Sequence, residues 1–166
     1  RSVGRRVQGI AVAIMVEPAP SIDRSHIRVK AMLVAPNVQG TAHAVSVNAA
    51  TAENPGGYHR LVGGSVEVGE THIDAVRREV REELSATIQD LSYLGVVENI
   101  FHLDGDVGHE IVFVYTGRLD PEPAAEGATL TESDGAVVPV VWRSFDDAAE
   151  VLPLYPAGVM GLFAQR

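Results

Sequence analysis

The chain of 166 residues contains no cysteine. That excludes disulfides, thiolate metal sites and cysteine nucleophiles, and it agrees with a cytoplasmic location. No apolar run reaches the length of a membrane-spanning helix. The nearest approach, Ile10 to Val16 behind Arg5 and Arg6, is short, lacks leucine and meets Glu17 at once. It reads as a β-strand rather than a signal peptide. Basic residues are scarce, 13 Lys and Arg against 22 Asp and Glu, for a formal net charge of −9. A nucleic-acid polymer wants a basic surface, so neither that partner nor a membrane is expected. A small phosphorylated substrate stays open, because a bound cation inverts the local charge. Repeats, low-complexity tracts and long linkers are absent as well. What is present is a 46% hydrophobic chain of the length of one ordinary domain, with residues 1–25 as an N-terminal strand and loop extension. Homodimerisation is left open.

The densest information lies between Gly63 and Ala86, GGSVEVGETHIDAVRREVREELSA. A helix from about His72 to Ser85 is predicted. At about 100° per residue, Ile73, Val76, Val80 and Leu84 form one core-facing stripe. Arg77, Arg78 and Arg81 gather on one side of it, and Glu79, Glu82 and Glu83 on the other. Arg78 and Glu82 are four apart and pair at the boundary. Thr71 followed by Asp74 is a capping-box pattern, and Gly69 lets the chain turn before it. Three glutamates at i, i+3 and i+4 repel each other unless a cation sits among them, and a hard divalent ion with oxygen ligands suits them. A plain salt-bridged surface helix is the competing reading. The glycine pair at 63 and 64 and Glu70 at the helix mouth weigh against it, since such a turn lets backbone approach a ligand closely.

This stretch resembles the signature of the Nudix hydrolases. Gly64, Glu70, Arg78, Glu79, Val80, Glu82 and Glu83 match it at the required spacing. Ser85 departs from it where the family has Gly, and Ala86 where a bulkier aliphatic is usual. Both lie past the carboxylates, where the family Gly serves a left-handed helix exit that Ser adopts only at a cost. The resemblance implies a Nudix-type α/β/α sandwich with a mixed β-sheet. It also implies Mg²⁺ or Mn²⁺ and hydrolysis of the diphosphate bond in a nucleoside diphosphate linked to another moiety.

Carried over residue by residue, Glu82 and Glu83 are metal ligands, and Glu79 is either a third ligand or the base for water. The backbone of Gly63 and Gly64 supplies a further oxygen, and Arg78 orients a glutamate. Glu70 binds metal or braces the loop. Family members often take one more glutamate from outside the signature, and Glu110, after Gly108 and His109, fits that role; a strand-end surface charge is its plain alternative. Glu98 is a weaker competitor. His102, His109, Tyr58, Phe101 and Tyr115 are candidates to touch substrate, each with a structural alternative. Subfamily marks are missing: His102 stands about where ADP-ribose enzymes have a proline, and neither the dinucleoside-polyphosphate tyrosine nor the NADH-type motif is found. A non-catalytic nucleotide sensor on this fold would usually lose a helix glutamate, and an isoprenoid diphosphate isomerase would call for a cysteine.

For the rest of the chain, strands are expected at Val7 to Val16, Ile27 to Ala35, His43 to Val47, Arg60 to Gly63, Leu91 to Leu103, Glu110 to Leu119 and Val137 to Trp142. Pro121 to Gly135 reads as a loop. Short helices are expected at Phe145 to Val151 and Pro156 to Phe163.

Overall fold

The computed structural model describes residues 26–163. The expected strand at Val7 to Val16 lies outside them. The described chain forms β1 (Arg28–Val34), β2 (Ala42–Asn48), β3 (Tyr58–Ser65), α1 (His72–Leu84), β4 (Thr87–Leu103), β5 (Asp106–Asp120), β6 (Ala128–Thr131), β7 (Val137–Ser144) and β8 (Leu154–Tyr155). The sheet runs β4-β5-β1-β3-β2-β7-β6, with β8 beside β3. β1 pairs with β5 in parallel and with β3 antiparallel, so the sheet is mixed, as expected. Among the described residues no helix is long and apolar enough to cross a membrane.

Alternation along β1 splits the core in two. Ala31 and Leu33 face α1 and pack with Val76, Val80 and Tyr115. Met32 and Val34 face away and pack with Val112, Val114 and Val159. β1 is buried on both faces over this stretch, which is why it reads as a nearly continuous apolar run.

α1 starts and stops where the sequence places it. Thr71 Oγ1 accepts from the Asp74 backbone N–H at 3.2 Å and donates to Asp74 Oδ2 at 2.6 Å. Ser85 ends the helix in the left-handed region at φ 52°, ψ 35°, and its N–H donates to Arg81 O. Of the expected apolar stripe, Val76 and Val80 are fully buried, but Ile73 is 36% exposed and Ala75 is buried instead.

Three further expectations need correction. The acidic stretch from Pro121 to Gly135 contains β6, which adds to the edge of β7 through Leu130 opposite Val138. The two expected C-terminal helices are only 3-10 turns, Asp147–Ala149 and Val159–Leu162. Pro153, Pro156 and the left-handed Gly158 interrupt the chain too often for an α-helix. β8 was not expected and is a two-residue strand beside His59 and Arg60.

Candidate active site

The signature loop and α1 are fastened by one side chain. Arg78 Nε donates to Glu70 Oε1 at 2.8 Å and Nη2 donates to Glu70 Oε2 at 3.0 Å. Nη1 donates to Glu79 Oε1 at 3.0 Å and to Glu82 Oε2 at 3.1 Å, and Nη2 also reaches Ser65 O at 2.9 Å. These bonds occupy all five donors of the guanidinium. Glu70 in turn accepts from the Glu67 N–H at 3.1 Å. The Arg78 bonds, with that backbone N–H, hold the Glu70 carboxyl below its ordinary range, and Glu70 first, then Glu79, keep Arg78 charged. Glu70 therefore stands behind Arg78 and does not line the cavity.

The cavity has a volume of about 460 Å³ and opens between α1 and the strands. Glu79, Glu82 and Glu83 line one side together with Gly63 and Gly64. Glu83 is turned inward. Its Oε2 is buried and has no hydrogen-bond partner, while the Gly63 N–H serves the carboxyl. Burial, then the charges of Glu132 and Glu79, push the Glu83 carboxyl up to about 8. Gly64 gives room for the Glu79 carboxylate: a Cβ there would lie 2.6 Å from Glu79 Oε2. Among the described residues no three carboxylates or imidazoles already converge as a closed cation cage. Arg78 draws Glu79 and Glu82 toward itself, and Glu83 is the one left without a cationic hydrogen-bond donor.

The opposite wall comes from the sheet. Arg28 and Lys30 on β1, Arg60 on β3 and Glu110 on β5 line it. Register explains the grouping: Arg28 lies beside Glu110 in the parallel ladder, and Lys30 lies opposite Ser65. Lys30 Nζ donates to Ser65 Oγ at 2.9 Å and stands 3.9 Å from Glu110 Oε1. Burial, helped by the charge of Arg60, lowers the Lys30 ammonium to about 8. Asn99 Nδ2 approaches Glu110 Oε2 at 3.5 Å. The Arg60 guanidinium makes no hydrogen bond among the described residues. Tyr58 stands at the cavity with Tyr155 edge-on at 5.4 Å, and Phe101 and His102 also line it.

Glu110 is 5% exposed and sits inside β5, in the ladder between β1 and β4. It is not a strand-end surface charge, and the turn before β5 does not swing it in. His109, one residue earlier, points to the other face and meets Glu98 at 2.8 Å, so neither reaches the cavity. Tyr115 is also elsewhere, hydrogen-bonded to His72. Arg28, Lys30, Arg60 and Glu132 are cavity residues that motif reading missed. The signal for the first two was present, since positive charges at 28 and 30 alternate with apolar residues on a buried strand. Arg60 and Glu132 carried no such mark.

The chain matches the family described as NUDIX domain over residues 28–159. Among solved structures it is similar to the MutT NUDIX hydrolase from Burkholderia pseudomallei, at 25% identity and TM-score 0.61, covering 83% of this chain and 97% of that one. A NUDIX hydrolase from Nitrosomonas europaea shares 17% identity at TM-score 0.58, covering 84% of this chain and 87% of its own. The MutT protein from Methanosarcina mazei Go1 shares 22% at 0.55, covering 84% and 91%. No curated protein is matched. The chain belongs to the Nudix hydrolase family, whose enzymes are pyrophosphohydrolases.

Proposed function

We propose that this Nudix protein hydrolyses the diphosphate bond of a nucleoside diphosphate linked to another moiety, with Mg²⁺ or Mn²⁺ held at Glu79, Glu82 and Glu83. The observation behind this reading is the buried, unpartnered Oε2 of Glu83. A carboxylate oxygen without a donor, close to other carboxylates, is a poor resting state for a protein and a good one for a cation ligand. The donor set is all oxygen, as a hard divalent ion prefers. When bound, such an ion would stabilise charge on phosphate oxygens and lower the pKa of a water.

The chain's own residues supply the rest. Arg28, Lys30 and Arg60 face the cavity as a cationic wall and would hold phosphate oxygens across from the carboxylates. Arg78 fixes the rotamers of Glu79 and Glu82, and Glu70 fixes Arg78. Tyr58 offers an aromatic edge to the group joined to the diphosphate. The proton of the attacking water goes to Glu79 or to Glu110. Glu110 lies in the cavity wall with the Lys30 ammonium 3.9 Å from its Oε1. Glu70, with both oxygens on Arg78, is unsuited to that role. A nucleotide-sensing module without turnover would have no need of so complete a carboxylate set.

The test is turnover on a panel of nucleoside triphosphates, ADP-ribose, sugar nucleotides, NADH and dinucleoside polyphosphates, with products identified. Activity should require the divalent ion, and Glu83→Gln should lower kcat by about 10²-fold or more. Glu70→Gln should cost less activity than Glu83→Gln. Full turnover in excess chelator would end this reading.

A further inference from the structure

The two walls of the cavity meet at one small side chain. Ser65 is the last residue of β3 and lies directly opposite Lys30 in the antiparallel ladder, so their side chains share a face. Arg28, two residues before Lys30 on β1, is on that face too, and all three line the cavity. Ser65 Oγ accepts from Lys30 Nζ at 2.9 Å and from Arg28 Nη2 at 3.4 Å. Its carbonyl accepts from Arg78 Nη2 at 2.9 Å. The next residue locks the strand, with the Val66 N–H donating to Val29 O at 3.0 Å. One residue therefore holds the cationic wall through its hydroxyl and the carboxylate wall through its backbone and Arg78.

Lys30 depends on that hydroxyl. The residue is 5% exposed, and among the described residues Ser65 Oγ is the acceptor within hydrogen-bond range of its ammonium. Glu110 Oε1, at 3.9 Å, is too far for a hydrogen bond. A buried ammonium that lost the serine oxygen would have this carboxylate as its nearest acceptor, and a shift of about 1 Å would bring the two into a direct ion pair. Lys30 would then close on Glu110 instead of presenting its charge to the cavity. We infer that Ser65 is a positioning residue for phosphate recognition: its hydroxyl holds Lys30 apart from Glu110 and beside Arg28, so that both cations face the cavity. The inference rests on the proposed reading of this wall as a phosphate site. Alanine at position 65 would remove the hydroxyl and keep the carbonyl that Arg78 uses. The carboxylates of α1 would stay in place, and the loss would be confined to the cationic wall.

Binding rather than turnover tests this, so the outcome does not depend on which substrate the chain hydrolyses. The probe is inorganic pyrophosphate with saturating Mg²⁺, titrated calorimetrically into the full chain. Ser65→Ala should weaken binding by about tenfold, and Ser65→Thr, which keeps the hydroxyl, should stay within about threefold of the parent. In a Lys30→Met background Ser65→Ala should cost about threefold or less, because the cation it positions is gone. Tm measured alongside identifies a variant that fails to fold, and Lys30→Gln stands in for Lys30→Met in that case. Parent affinity in Ser65→Ala would overturn the inference. So would a Ser65→Thr variant as weak as Ser65→Ala, or an equal loss from Ser65→Ala with and without Lys30. A parent chain that binds no pyrophosphate would overturn it as well. The expected pattern of binding in a chain that turns over none of the substrate panel would end the proposed hydrolase and leave the role of Ser65 supported.

Discussion

Gly64→Ala separates the chemistry of the site from its folding. The Gly64 backbone lies outside the left-handed region, so alanine is compatible with it. The obstacle is the Glu79 carboxylate, whose Oε2 would stand 2.6 Å from the new Cβ and whose Oε1 would be closer still. Ordinary contact begins near 3.4 Å, so the carboxylate must retreat by about 1 Å, a displacement that can cost about 10²-fold in rate at a catalytic group. What moves is the far end of a flexible side chain, so the fold should lose little. The stability cost is a weakened bond from Arg78 to Glu79, about 1 kcal/mol for a half-buried charged pair.

Gly63→Ala is the matched control. There the Cβ would stand 2.8 Å from Met32 Cα and closer still to the Ala31 carbonyl oxygen, on a backbone at φ 131°. Both obstacles are main chain in the centre of the sheet. The left-handed conformation alone costs about 1–2 kcal/mol, and the clash adds to it. The assay is steady-state kcat with saturating cation, together with Tm for both variants. Gly64→Ala should keep its Tm within a few degrees and lose about 10²-fold in kcat. Gly63→Ala should lose Tm sharply. A Gly64→Ala enzyme within twofold of wild type in kcat would show that the position of the Glu79 carboxylate is not critical.

Two more outcomes follow from the same geometry. Ser85→Gly should stabilise the protein by about 1 kcal/mol, because Ser85 holds a left-handed helix exit that glycine adopts freely; a fall in Tm would refute this. His43 is fully buried, neither ring nitrogen has a partner, and burial, then Arg143, lowers its pKa to about 4. At His43 the folded state binds fewer protons than the unfolded state between about pH 4 and 6.5, so this group contributes stability that rises with pH across that window, against an opposite slope from Glu83 above about pH 4.5. The His43 shift corresponds to about 3 kcal/mol. His43→Leu should make the slope of Tm against pH there less positive than in the parent, with the terms from His59 and Glu83 left in place; an unchanged slope would refute the assignment.

What was legible in the sequence was local. The cap at Thr71 and the Arg78–Glu82 pair each depend on residues within one turn, so spacing places them, while the left-handed exit at Ser85 was legible only through the resemblance, which has Gly there. What was not legible depends on which strand lies beside which. Glu110 and His109 differ by one residue, and in a strand one residue is the difference between the two faces. The parallel pairing of β1 with β5, about 80 residues away in sequence, decides that Glu110 shares the cavity with Lys30 while His109 does not. Arg60 and Glu132 come from a strand and a turn with no periodic mark. β6 was hidden because four residues in an acidic, proline-containing stretch become a strand only when the edge of β7 offers them partners.

Under the proposed function, the charges inside the cavity would favour a cation and a substrate that arrive together. Arg78 is saturated by Glu70, Glu79, Glu82 and the Ser65 carbonyl. Lys30 is partnered by Ser65 and stands near Glu110. On facing walls, the Glu83 Oε2 and the Arg60 guanidinium make no hydrogen bond among the described residues. They feel each other's charge, but no hydrogen bond joins them. A phosphate alone would answer Arg60 and be repelled by Glu83. A cation alone would answer Glu83 and be repelled by the wall of Arg28, Lys30 and Arg60. A diphosphate that brought its own divalent ion would answer both at once, the carboxylates of α1 serving the ion and Arg28, Lys30 and Arg60 the phosphate oxygens. A net charge of −9 would be no obstacle to that ligand, since the cationic wall is local and the carboxylates would be met by the ion rather than by the phosphate.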